Sequence, residues 1–254
     1  QGAQQAQVTS NVRHNVVSRE HWIGFDATDS ILVRAGHMEI PFGIRDIVHD
    51  YYVRQQTRTD INQQQTDGLS VSYSGSKLRG EIMGIAGNMQ VKPADFRDHG
   101  YSGYLEYSLF PKTTVGVSSL ATHAQVDLQL RRTLTRTANG VFIRTSPWTP
   151  LVFEFEEDGL VNEVDGKGPL RVGNCGVFVT DLEPIQGIHA IGAFEWFHDP
   201  MPSIGTSFGG WAGLQWFFAP HADARVDYVI NDVPAGTDKR LKITTIIYQF
   251  HFFL

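Results

Sequence analysis

The sequence predicts an all-β fold: a closed antiparallel transmembrane β-barrel of about 14 strands, or about 12 on a second count, in a single domain over 1–254. Three observations carry this. Apolar and polar side chains alternate with period two through one hairpin after another. Short turns and longer loops take turns along the chain, and aromatic residues gather at the predicted strand ends.

Residues 1–20 begin with the polar run QGAQQAQ and read either as a disordered tail or as a loosely paired segment. Trp22, Gly24 and Asp26 then alternate against Ile23 and Phe25, and a strand follows from Ile31 to Glu39. Residues 40–67, IPFGIRDIVHDYYVRQQTRTDINQQQTD, form the longest irregular stretch, too aromatic for a linker. This loop is expected to pack on or into the rest of the fold, and inside a barrel it would lie in the lumen. Arg45, Asp46, His49, Asp50 and Arg54 are then the candidates to narrow the passage.

After Asp67 the pattern is regular. Leu69, Val71 and Tyr73 oppose Ser70, Ser72 and Ser74, and Leu78, Gly80 and Ile82 oppose Lys77, Arg79 and Glu81 after a turn at Gly75-Ser76. Further hairpins turn at 111–112, 146–150, 182–186 and 219–221, separated by loops at 88–99, 123–135, 159–170, 199–205 and 232–240. A sandwich would not be expected to keep that order five times. Tyr101, Trp148, Trp196, Trp216 and Phe252 stand at strand ends, where aromatic rings would meet the boundary between lipid and water. Phe197 and Phe217 read the same way.

Composition removes other classes. The chain carries 19% charged residues and a mean hydropathy of -0.20, with no apolar run long enough for a membrane helix, whereas a spanning strand shows lipid only every second residue. A net charge of -6 with scattered basic residues lacks the footprint of a nucleic-acid binder. The single Cys175 excludes an intrachain disulfide and a cysteine-rich metal site. The start Gln1-Gly2-Ala3 fits a secreted chain whose leader has been removed, and equally a truncated one.

The final stretch, Leu241 to Leu254 (LKITTIIYQFHFFL), places Ile246, Tyr248, Phe250, Phe252 and Leu254 on one face and Thr245, Gln249 and His251 on the other. It resembles the closing strand of a bacterial outer-membrane β-barrel. The run Arg34 to Gly43 resembles a G-x-x-x-x-PFG stretch of porin-like barrels, the phosphate-selective group among them, although nothing in it carries over an arginine ladder. The resemblance implies short periplasmic turns, longer extracellular loops and a place in the outer membrane, among lipid and lipopolysaccharide. It implies a non-enzymatic channel for passive diffusion of small polar solutes or ions. The alternatives are a structural barrel holding an envelope protein partner and an outer-membrane lipid hydrolase.

Lys77, Arg79, Glu81, Glu106, Glu154, Glu156, Asp158, Glu195, Asp223, Arg225, Asp227 and His251 fall on the predicted inner face and would line water or brace a filled interior. The ten histidines show no metal or haem spacing, so no metal or cofactor is expected. His189 and His251 would meet only if their strands faced each other. A hydrolase would need Ser118, Ser119 and His123, with Asp127 nearby, to converge, and no G-x-S-x-G elbow is present. Val126 to Thr137 carries three arginines that suit anionic lipopolysaccharide or simply a solvated loop.

Overall fold

A computed structural model describes residues 18–45, 51–61, 64–166, 168–200, 205–236 and 239–252. Among the described residues thirteen strands form one sheet in chain order, every neighbouring pair antiparallel. They are β1 (His21–Thr28), β2 (Ile31–Met38), β3 (Thr66–Ser74), β4 (Leu78–Gly87), β5 (His99–Phe110), β6 (Thr113–Ala124) and β7 (Leu134–Trp148). The second half holds β8 (Leu151–Val164), β9 (Arg171–Ile185), β10 (Ile188–His198), β11 (Thr206–Ala219), β12 (Ala222–Pro234) and β13 (Arg240–Phe252). A short helix, α1 (Tyr52–Thr57), lies between β2 and β3.

Strand joints alternate as the hairpins demand. Two or three residues close each joint on one side, as at 75–77, 111–112 and 149–150, and longer loops cross on the other. Several boundaries differ from the sequence reading. β8 runs on to Val164 through Gly159 and Asn162, because each of its residues from Gly159 to Asn162 pairs on both sides, with β7 and β9. β9 likewise passes through Pro184 and turns only after Ile185. Lys77 lies exposed in a turn, one residue before β4 begins.

The exterior is apolar and open. Ile23, Phe25, Leu69, Ile82, Leu105, Val117, Val141, Phe194, Leu214, Tyr228, Ile246, Tyr248 and Phe250 are all exposed, and they share one face of the sheet by register. Nothing among the described residues covers apolar surface of this extent.

The other face wraps around the segment that holds α1. Six helical residues rise only about 9 Å. Yet Tyr52 reaches β10 and β12, Arg54 reaches β8, and the carbonyl of Thr57 reaches β7. Five steps between adjacent strands in a flat sheet would cover about 24 Å. The sheet must therefore curl, with α1 in its hollow. Among the described residues β1 and β13 are the two edges, and thirteen alternating strands make them run in the same direction. The sequence count of about 14 thus meets 13 described strands, with residues 1–17 outside the description.

Candidate functional site

The inserted segment after β2 begins Glu39-Ile40-Pro41-Phe42-Gly43. Its apolar residues Phe42, Tyr51 and Val53 pack on Leu120, Ala138, Leu160, Cys175, Val177 and Val179 from the hollow face of β6 to β9, with Trp211 of β11 against them. Burying a large side chain contributes about 1.5–3 kcal/mol, so this cluster holds the segment as a core holds a helix.

Charged groups fix its orientation. Glu156 on β8 accepts a hydrogen bond from the Arg54 guanidinium and another, at 2.7 Å, from the Ile44 amide. Arg54 also donates to the Ile44 carbonyl at 2.5 Å. Gly43 sits between these partners at φ +57, and a Cβ there would stand 1.9 Å from Glu156 Oε1, so glycine is required. The Tyr52 amide, free at the start of α1, donates to Glu195 on β10, and the Tyr52 hydroxyl donates to Asn231 on β12 at 3.1 Å. Ser102 on β5 donates to the Pro41 carbonyl at 2.7 Å.

On the opposite wall the pattern changes. Arg34 on β2 passes over the serines of β3 to reach Glu81 on β4. Arg45, from the inserted segment, pairs with Glu39 and with Glu81 at 3.5 Å. Burial works against its charge, but Glu39 and then Glu81 more than offset that and leave its pKa above the ordinary value. Glu106 on β5 accepts from both Arg79 on β4 and Arg144 on β7, the latter at 2.6 Å. These groups border a cavity of about 420 Å³ on the short-turn side of the inserted segment, lined by Glu39, Gly43, Arg45, Ile61, Arg79, Tyr104, Glu106 and Arg144. The arginines there remain partly open, with side-chain exposures of 53% for Arg79 and 31% for both Arg144 and Arg45.

A second cavity of about 440 Å³ lies on the long-loop side, bordered by Gln55, Arg58, Gln129, Arg136, Asn162 and Asp199 among others. Arg58 closes its rim by donating at 2.5 Å to Asp127, a buried carboxylate that also accepts from the amides of Gln129 and Leu130. Burial pushes the Asp127 pKa up. The Arg58 hydrogen bond and charge, followed by the two amides, outweigh it and hold the group below the usual carboxylate value.

The predicted inner-face acids are on the hollow face but are not open to water. Glu81, Glu106, Glu156, Asp158, Glu195, Asp223 and Asp227 are each 6% exposed or less. Asp227 pairs with Arg225 at 2.9 Å, and Arg225 lies over Trp211. Asp223 receives Gln215 and meets His251 at 3.0 Å. Glu154 shares that face of β8 by its even spacing from Glu156. Arg54 is buried as a tie to Glu156, so it does not face a passage, and Asp46, His49 and Asp50 lie outside the described residues.

Tyr101, Trp148, Trp216 and Phe252 are exposed and Trp196 is half-buried, whereas Phe197 turns to the hollow face and packs on the core cluster. His189 and His251 do not meet, since each sits against an aspartate of its neighbouring strand, Asp181 and Asp223. Ser118 faces inward while Ser119 and His123 face outward, so those residues do not form one catalytic cluster. No group of three or more metal-ligating side chains stands together among the described residues.

Sequence reasoning passed over Arg58 and Arg144, gave Arg34 no role of its own, and placed Arg136 with Arg131 and Arg132 as a loop group, whereas it is buried on β7. Arg144 shares a face with Phe142, an apolar neighbour that disguised the polar side of β7. A stricter count from the period-two register would have placed it beside Glu154.

No family model and no curated protein matches the chain. Its fold matches solved outer-membrane proteins at low identity. OmpT of Vibrio cholerae, as a loop L8 deletion mutant, aligns at TM-score 0.69 and 10% identity over 91% of this chain and 80% of that one. The anion-selective porin from Comamonas acidovorans aligns at 0.62 and 11%, over 91% and 77%. The outer membrane channel DcaP of Acinetobacter baumannii aligns at 0.62 and 10%, over 88% and 73%. The described sheet thus resembles the walls of bacterial outer-membrane β-barrels.

Proposed function

We propose that the chain is an outer-membrane channel that passes small polar solutes by passive diffusion, narrowed by the inserted segment. The observation that carries the reading is the division of the sheet into a continuous exposed apolar exterior and a hollow face of charged groups around that segment. Lipid is the environment that suits such an exterior, and a spanning strand needs about 9–11 residues, a length that β4 to β13 meet. Fold neighbours described as a channel and a porin support the same reading. Short turns then face the periplasm and long loops the outside.

Closure in lipid is required, because an open edge leaves backbone groups without partners. With β1 and β13 running the same way, antiparallel closure takes an odd number of further strands, and one strand gives the expected 14.

Planar-bilayer recording tests the function. Discrete conductance steps are expected, larger in Arg54→Ala, which frees the segment from Glu156. Silence in both proteins, with gel mobility unchanged by boiling, overturns the reading.

A second reading, a barrel seated against another protein, rests on Glu157. This residue points outward by register, accepts from Asn174 at 2.6 Å, and keeps its Oε2 buried without a partner. Ser119 donates to Asn139 at 2.8 Å on the same exterior face. Glu157→Leu should leave the detergent-solubilised mass unchanged for a lone barrel and lower it where this patch holds a partner.

A further inference from the structure

We infer that the solute this channel favours is a small oxyanion, a carboxylate or a phosphate, drawn by the arginines of the turn-side cavity; the inference rests on the channel reading above. The chain carries a net charge of -6, so an average surface of this protein would attract cations. The cavity reverses that sign. Its lining holds Arg45, Arg79 and Arg144 against Glu39 and Glu106, three positive charges against two negative.

Exposure strengthens the reversal. Glu106 is 4% exposed and both its oxygens are occupied, Oε1 by Arg79 and Oε2 by Arg144. The guanidinium groups stand in front of it, at 53% and 31% exposure, and each uses one nitrogen on Glu106. A guanidinium has five N–H donors in a planar fork, so most remain free to meet two oxygens of a carboxylate or phosphate. Ammonium groups are repelled by that arrangement, and neutral solutes gain only the weaker hydrogen bonds of an uncharged acceptor. The long-loop cavity adds no such excess, since its Arg58 and Arg136 are paired with Asp127 and Asp98 and stand beside Asp199, so the selection falls on the turn side.

One unit charge about 5 Å from a permeating ion, in water-like dielectric, favours an anion about fourfold and disfavours a cation by as much, about sixteenfold between the two. The full chain, folded in detergent and checked by heat-modifiable migration, is placed in phosphatidylcholine bilayers under a tenfold KCl gradient. The zero-current potential is expected to take the sign of chloride, with a permeability ratio of about sixteenfold over potassium. Arg79→Glu and Arg144→Glu should each move it toward potassium, while Lys112→Glu, in an exposed turn, should leave it in place. Succinate and phosphate added separately distinguish the sources. Reduction of the chloride current by one identifies that oxyanion, reduction by both supports their shared chemistry, and indifference to both overturns the oxyanion assignment. Conductance with a potassium preference overturns the inference and leaves the channel standing, whereas absence of conductance overturns the channel itself. Should a charge-reversal variant fail to fold, the potential of the unaltered protein still decides.

Discussion

Two walls of the hollow sheet use charge for opposite purposes. From β8 to β12, carboxylates are buried and serve as anchors: Glu156 holds Arg54 and the Ile44 amide, Glu195 holds the start of α1, Asp223 is taken by neighbours on adjacent strands and Asp227 by Arg225 of its own strand. From β4 to β7 the acids are buried too, but the arginines that pair with them lean into open space. The difference teaches that a count of inner-face charges says little about a passage. What matters is which partner of each pair is covered.

Arg54→Ala should have the largest effect on stability, about 3–5 kcal/mol, because Glu156 would be left as an uncompensated buried charge. The loss of heat resistance in detergent measures it, and a variant as stable as the parent would remove the anchor role. Next comes a contrast through the thickness of β4, where Ile82 lies outside and Glu81 inside. Ile82→Arg should cost about 2–4 kcal/mol if that position lies deep in lipid, and close to nothing if it faces water. Urea titration of the protein refolded in lipid vesicles reads the difference.

Asp127→Asn should cost about 1.5–3 kcal/mol, the worth of a hydrogen bond to a charged group. Its pH dependence has a definite sign. The folded pKa lies below the ordinary value near 4, so the contribution is complete above about pH 4 and fades as pH falls through the lower, folded value. Protection of the Gln129 and Leu130 amides against exchange, relative to the intrinsic rate at each pH, should therefore fall in acid, and should lose that acid dependence in the asparagine variant. The smallest stability effect belongs to Arg79→Gln, under about 1 kcal/mol, because Arg79 is half exposed and Arg144 still pairs with Glu106. That variant should nonetheless change ion preference, and a large stability loss there would contradict the open-wall description.

Much of the architecture could be read from the chain. Alternation at Leu69 to Ile82 and at Ala222 to Asn231 gave strands and faces, since a half-covered strand must repeat with period two. The extra length of β8 was hidden because Gly159 and Asn162 resemble loop residues locally, and only pairing on both sides keeps them in the sheet. The site was less legible. Glu156 and Arg54 lie 102 residues apart in sequence, so no local pattern could show that one covers the other. The inner apolar patch of β9, Cys175, Val177 and Val179, escaped notice because it faces α1 rather than the exterior.

The ties of the inserted segment also set an order of assembly. Its partners Glu156, Glu195 and Asn231 arrive 112, 143 and 179 residues after the groups they bind. Contacts so distant in sequence form late, because the loop they close must first be paid for in entropy. Until the second half of the sheet is in place, Phe42 and Val53 have no completed seat, and the nascent chain carries these sticky residues as a liability that only its own last strands can retire.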